Sequence, residues 1–257
     1  MTATELRTRP LLTVRSAVAP LHGEPRISSP LSSQLVAGEV VTVLEHRGDW
    51  LRIHGVDAYE GWMHTGYLMP STGQESSWRL SLGCVVRELD GRERALPLNA
   101  RIVPIAEVVS GDVVDAGDII TRFPREAAAI CQTASSRYVG ASYMWGGVTP
   151  WGCDCSGFVQ RVFQLHGIQL PRDAWQQALH GTAVAARASD GHVAADLLFF
   201  SDRDDQQVTH VGVSLGDGRM AHSGLARGGV VIEQLNADDA YVARLRAQCV
   251  AVRRVLA

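Results

Sequence analysis

Hydrophobic and polar positions alternate in short bursts over the first part of the chain. The bursts at 12–18, 40–45, 50–53 and 59–63 are divided by a polar loop from His22 to Gln34 and by the turn Arg47-Gly48-Asp49. A last turn follows at Gly66-Tyr67-Leu68. Strands this short at this spacing predict a small β-barrel. Trp50 and Trp62 fit its core or its rim equally well. A polar Ser/Gly linker is predicted at 71–75, and β runs return at 83–86, 95–98, 101–109, 111–114 and 119–121. These predict a second barrel.

From Pro124 the period changes. A helix is predicted over 124–137. In a second helix, ending at Gly167, Phe158, Val159, Val162, Phe163 and His166 recur at spacings of three and four. A short helix at 174–180 and strands at 195–200, 209–215, 219–223, 229–234 and 248–255 complete the pattern. Helices first and an antiparallel sheet afterwards is an α+β layout. The predicted organisation is therefore multidomain, with boundaries at 1–70, 75–123 and 124–257.

Composition excludes some functions. The chain has 257 residues and a formal net charge of −3, with no Lys/Arg run able to neutralise a series of phosphates, which argues against nucleic acid. No segment reaches the roughly 18–20 continuous apolar residues of a membrane helix. Residues 1–10 carry Glu5, Arg7 and Arg9 and no apolar run of signal length, so the expectation is a soluble, cytoplasmic chain. Five scattered cysteines are an odd number and do not form a disulfide framework. Cys153-x-Cys155 is too tight for zinc spacing, so no metal and no cofactor are expected.

The chemistry gathers around Asp154-Cys155-Ser156-Gly157. Gly146, Gly147, Pro150 and Gly152 keep the chain irregular up to the point where the helical period begins, so Cys155 opens a buried helix. The positive end of the helix dipole favours thiolate there. A lone cysteine at such a place is more often a small buried hydrophobe. His210 starts an apolar strand, and His222 stands twelve residues later beyond the turn Gly216-Asp217-Gly218. A hairpin of that length can set both imidazoles on one face of a sheet. A thiol, a proton acceptor and a group orienting the acceptor are the requirements of nucleophilic catalysis.

The ordered motifs Tyr143-Met144-Trp145-Gly146-Gly147, Asp154-Cys155-Ser156-Gly157-Phe158-Val159-Gln160, Pro171-Arg172-Asp173, Asp196-Leu197-Leu198-Phe199-Phe200, Thr209-His210-Val211-Gly212 and Ala221-His222-Ser223 resemble the NlpC family of bacterial cell-wall cysteine peptidases. The resemblance covers residues 138–224. Gly48-Asp49-Trp50 and Gly61-Trp62-Met63 resemble a bacterial SH3-like domain. The branch of the family with two such domains implies two small all-β SH3-like barrels followed by an α+β papain-like cysteine peptidase domain.

The implied activity is hydrolysis of the γ-D-glutamyl bond to a diamino acid, meso-diaminopimelate or L-Lys, in murein stem peptides with a free N-terminal L-Ala, as in wall-peptide recycling. By position in the motifs Cys155 is the nucleophile, His210 the base and His222 its polar partner, while Tyr143 assists at the oxyanion. Asp154 and Ser156 line the cleft, or Asp154 is a helix cap. Trp145 is a further candidate substrate contact. Asp173 and Tyr59 match residues that hold the L-Ala amine, with a helix cap as the alternative for Asp173. Pro30 stands where an acid is expected, leaving Glu24 as the nearest substitute, and Ala174 replaces a serine. Other readings are an open-cleft endopeptidase acting on the intact wall, acyl transfer by the same triad, and a non-catalytic wall-binding module.

Overall fold

A computed structural model describes residues 10–71, 78–103, 105–185, 188 and 191–256. The predicted linker at 71–75, beyond Ser71, and the first nine residues lie outside them. The chain divides into two compact units, Met1–Arg122 and Phe123–Ala257. No helix among the described residues is long and apolar enough to cross a membrane.

In the first unit β1 (Leu11–Val14), β2 (Val18–His22), β3 (Leu31–Val36), β4 (Val40–Arg47), β5 (Trp50–His54), β6 (Glu60–His64) and β7 (Leu68–Pro70) form one antiparallel sheet in the order β3-β2-β6-β5-β4-β1-β7. Val14, Leu21, Leu35, Val43, Ile53, Met63 and Leu68, one or more from every strand, share a single core. A flat sheet could not bring its two edge strands into one cluster, so this sheet is coiled on itself, as a small barrel requires. The strand β3 was hidden in the predicted polar loop. It is an edge strand, and of its Leu-Ser-Ser-Gln-Leu-Val only Ser33, Leu35 and Val36 are buried.

A second sheet holds β8 (Arg79–Arg87), β9 (Glu93–Leu96), β10 (Arg101–Ile102) and β11 (Glu107–Asp115), with β8 between β10 and β11 and also paired to β9. Its core takes in Val36, the last residue of β3, and Ala37 in the turn after it, beside Cys84, Val86, Leu96 and Ile102. The expected strand at 119–121 is instead a helical turn, Ile119–Arg122. A 3-10 turn at Ala116–Asp118 delivers Ile119 already in helical geometry, so local turn chemistry overrides the β preference of Ile-Ile-Thr.

The second unit follows the α+β layout. Helix Ala127–Arg137 precedes the short pair β12 (Val148–Thr149) and β13 (Gly152–Cys153), and helix Cys155–Leu165 starts two residues after β13. Then come the helical turn Ala174–Gln177, β14 (Thr182–Ala183), β15 (Leu197–Phe200), β16 (His210–Gly216), β17 (Arg219–Gly224) and β18 (Gly229–Gln234). Helix Ala240–Ala247, which sequence periodicity did not reveal, and β19 (Cys249–Arg254) end the unit. The sheet order is β14-β19-β15-β16-β17-β18. Helix Cys155–Leu165 packs against β16 and β17, and Phe158, Val159, Val162 and Phe163 are wholly buried, as their spacing predicts. His166 is a satisfied core histidine, with Nε2 2.9 Å from Thr133 Oγ1 and Nδ1 2.7 Å from the Pro124 carbonyl.

Asp196 ties the last strand to the centre of this sheet. Its carboxylate, almost wholly buried, receives Arg254 Nε and Nη2 at 2.8 Å each and the Val193 N–H at 2.9 Å. Asp196→Ala leaves the Val193 N–H and a half-buried guanidinium without that acceptor. It is expected to cost about 1–3 kcal/mol and to lower the thermal midpoint by several degrees in a melting experiment.

Candidate active site

The head of helix Cys155–Leu165 is built around one carboxylate. Asp154 is the N-cap, and its Oδ1 accepts the Gly157 N–H at 2.7 Å. Oδ2 accepts the Gly146 N–H at 2.9 Å, which fastens the preceding glycine-rich loop to the helix. Arg172, 1% exposed, grips both oxygens, with Nη1 3.0 Å from Oδ1 and Nη2 2.6 Å from Oδ2. Its Nη1 also donates to Ser156 Oγ at 2.9 Å. The cap reading of Asp154 is therefore the one the geometry displays, and Ser156 is tied into the same cluster. Gly157 has no room for a side chain, since a Cβ there would collide with the Gly147 carbonyl. The repeated glycines are a close-packing requirement.

Cys155 thus stands where the loop and the helix meet, 8% exposed. Its thiol is not biased to thiolate, contrary to the helix-end expectation. Burial pushes it up to about 12, and the Asp154 carboxylate acts in the same direction. The Val211 and Ser156 backbone N–H groups and Arg172 oppose this without overcoming it. The physical reason is that the positive helix end already carries an anion, Asp154, and the thiol is left with the cost of desolvation.

The Val211 N–H that faces the thiol places Cys155 beside the start of β16, where His210 lies. His210 Nε2 is 2.8 Å from His222 Nδ1 on the paired strand β17, the juxtaposition the hairpin spacing predicts. With Nε2 taken, Nδ1 is the ring nitrogen left to receive a proton. Although His210 keeps a partly exposed edge, burial and then His222 drive its pKa well below the ordinary 6.5. Tyr143 sits close enough for a thiolate at Cys155 to raise its phenol; with burial as the larger cause it rises to about 12 and stays a neutral O–H donor.

The remaining candidates are placed as follows. Asp173 occupies the N-cap position of Ala174–Gln177, yet its side chain makes no cap bond, so the cap alternative is not realised. The segment carrying it is pinned beside Cys155 by Arg172 and by Gln177, whose Nε2 donates to the Ser156 carbonyl at 3.0 Å and to the Pro171 carbonyl at 2.8 Å. Trp145 is exposed. Tyr59 and Glu24 belong to the first unit. Tyr59 packs on the barrel core, and Glu24 pairs with Arg26 at 2.8 Å on an open surface. The sequence places Arg172 in the Pro171-Arg172-Asp173 motif but points to no role for it, nor to any for Gln177 and Glu233. Among the described residues no group of three His, Cys, Asp or Glu is arranged to hold a metal ion.

A thiol at the head of a buried helix beside a pair of hydrogen-bonded imidazoles on adjacent strands defines a cysteine-nucleophile hydrolase site of the Cys-His type. A model of the NlpC/P60 family matches residues 140–247, and one of the bacterial SH3 domain matches 17–69. The chain belongs to the NlpC/P60 family and is a cysteine peptidase of it. It is 26% identical over 243 residues to the gamma-D-glutamyl-L-lysine dipeptidyl-peptidase of Bacillus cereus, covering 81% of this chain and 72% of that protein. A probable endopeptidase of Haemophilus influenzae is 35% identical over 114 residues, 44% of this chain and 68% of the other. The crystal structure of an NlpC/P60 family protein from Bacillus cereus superposes with a TM-score of 0.78 at 22% identity, over 96% of this chain and all of that one, which shows a shared fold.

Two predictions follow from this geometry. Arg172→Met removes one half of a buried ion pair and strands Asp154. It is expected to destabilise by about 3–5 kcal/mol in chemical denaturation and to lower activity even in the folded fraction. The second concerns pH. Neutral Cys155 with neutral His210 and the thiolate with imidazolium contain the same number of protons, so kcat/KM should be level through neutral pH, with its acid limb well below 6.5. A limb at 6.5 would contradict a depressed His210. The same depression makes the unfolded chain bind the proton more readily, so stability should decline as pH falls below 6.5.

Proposed function

We propose that this cysteine peptidase hydrolyses the γ-D-glutamyl–diamino acid bond of murein stem peptides bearing a free N-terminal L-Ala, and so acts in the cytoplasm on wall fragments. The observation that carries the chemistry is the His210–His222 bond of 2.8 Å beside the Cys155 helix head. The substrate class is supported by the names of the relatives, by the motif resemblance and by Asp173. The second sheet of the first unit, read as a further SH3-like domain, belongs to the same proposal.

In this mechanism Cys155 Sγ attacks the γ-carbonyl of D-Glu as its proton passes to His210 Nδ1. The Cys155 N–H and the Tyr143 O–H donate to the oxyanion. Collapse expels the diamino acid amine, which takes the proton from His210, leaving an L-Ala-γ-D-Glu thioester. Water, deprotonated by His210, releases the dipeptide and restores the thiol. Asp173 supplies the carboxylate that an ammonium needs in order to leave water.

The test is mass spectrometry of L-Ala-γ-D-Glu-diaminopimelate and its L-Lys counterpart after incubation with the protein. The expected products are L-Ala-D-Glu and the free diamino acid. Cys155→Ala should abolish them, and His210→Ala should be more damaging than His222→Ala. Asp173→Asn, or N-acetylation of the peptide, should each reduce kcat/KM by about thirtyfold or more, corresponding to roughly 2 kcal/mol. Equal rates on free and acetylated peptides would favour an endopeptidase of the intact wall, and absence of cleavage with retained wall binding would favour a binding module.

A further inference from the structure

His222 is buried completely, and its ring is fixed from several sides. The Tyr241 ring stacks on it, with centroids 6.2 Å apart and planes 16° from parallel. Gly224 makes room for it, because a Cβ there would come within 2.9 Å of His222 Cε1. The ring therefore cannot turn over easily. Its Nδ1 faces His210, and its Nε2 is buried without a hydrogen-bond partner among the described residues. Facing that nitrogen, 3.8 Å away, is Glu233 Oε1. This is about 1 Å beyond an ordinary N–H···O bond.

Glu233 is itself held in place. Arg227 Nε donates to the same Oε1 at 2.6 Å, and the guanidinium lies 4.5 Å from the centre of the Tyr241 ring that covers His222. Arg227 also reaches Asp239 Oδ1 at 3.0 Å. His222 first, and then Arg227, keep the Glu233 carboxyl below the usual carboxylate range, so it is an anion at neutral pH.

A carboxylate in that position decides which nitrogen of His222 carries the proton. A bare Nε2 would point a lone pair at an anion in a buried site, whereas an Nε2–H points a positive edge at it. We infer that Glu233 is a positioning residue that keeps His222 in its Nε2–H tautomer. His222 Nδ1 is then an acceptor, the 2.8 Å bond must be donated by His210 Nε2–H, and His210 Nδ1 is left with the free lone pair that a thiol proton requires. The other tautomer of His222 would place a donor against His210 Nε2 and put the His210 proton on Nδ1, where it blocks proton acceptance. The inference rests on the peptidase reading only for its kinetic consequence, since the tautomer exists whether or not the protein is active.

The experiment is 15N NMR of histidine-labelled full-length protein at a pH where both imidazoles are neutral, combined with steady-state kinetics. In the wild type the His222 signals should be those of an Nε2–H ring. Glu233→Leu should shift population to the Nδ1–H ring and reduce kcat at least tenfold with KM within threefold, while Glu233→Gln, which retains an acceptor oxygen, should restore the tautomer and bring kcat back towards wild type. A wild-type His222 in the Nδ1–H form overturns the inference, whatever the variants do and even if Glu233→Leu fails to fold. It is equally overturned if folded Glu233→Leu keeps the Nε2–H form. An inactive wild type with His222 in the Nε2–H form would support the tautomer while removing the peptidase reading.

Discussion

The buried bond between Arg172 and Asp154 is the constraint on which the candidate site depends. A carboxylate and a guanidinium that have both left water are costly to bury, and the cost is offset only because nearly every donor and acceptor around them is used. Asp154 receives the helix N–H of Gly157, the loop N–H of Gly146 and both Arg172 nitrogens. Three pieces of chain are thereby held at one point: the loop before the helix, the helix head with Ser156, and the segment that carries Asp173. Cys155 lies at their junction. Its position follows from the ion pair around its neighbour and from the Val211 N–H that faces the thiol.

The same burial sets the chemistry. The helix dipole would favour a thiolate, but Asp154 has taken that place, and burial drives Cys155 and His210 each towards its neutral form. In the proposed mechanism the neutral pair reacts only when a substrate carbonyl is attacked and an oxyanion begins to form. Tyr143, still a neutral donor, and the Cys155 N–H are the donors proposed for that charge. Protection of the resting thiol and readiness for catalysis have the same physical origin, the exclusion of water.

Beyond the reacting pair, the sheet extends the network through His222 to Glu233 and Arg227. By register His210, His222 and Glu233 share one face of β16, β17 and β18 and form a row of polar residues across it, while Val211, Val213 and Val230 are buried on the opposite face. Tyr241 closes the row from helix Ala240–Ala247.

Much of this was readable from local pattern. The 3.6-residue recurrence of Phe158, Val159, Val162 and Phe163 located the central helix, and the turn Gly216-Asp217-Gly218 placed His210 and His222 on paired strands, because both are properties of neighbouring residues. Short β runs marked the barrel, while β3 escaped because an edge strand can be polar, and 119–121 was misread because a preceding turn overrode its β-branched residues. Helix Ala240–Ala247 has a weak apolar stripe and is held largely by its Asp239 cap and by packing, so its period carried little signal. Thus the buried helix and the placing of His210 and His222 on paired strands were determined by sequence alone, through periodicity and turn chemistry. The protonation of Cys155, the clamp of Arg172 on Asp154 and the approach of Glu233 to His222 were decided only by tertiary structure, since desolvation and charge pairing depend on which distant side chains share a volume without water.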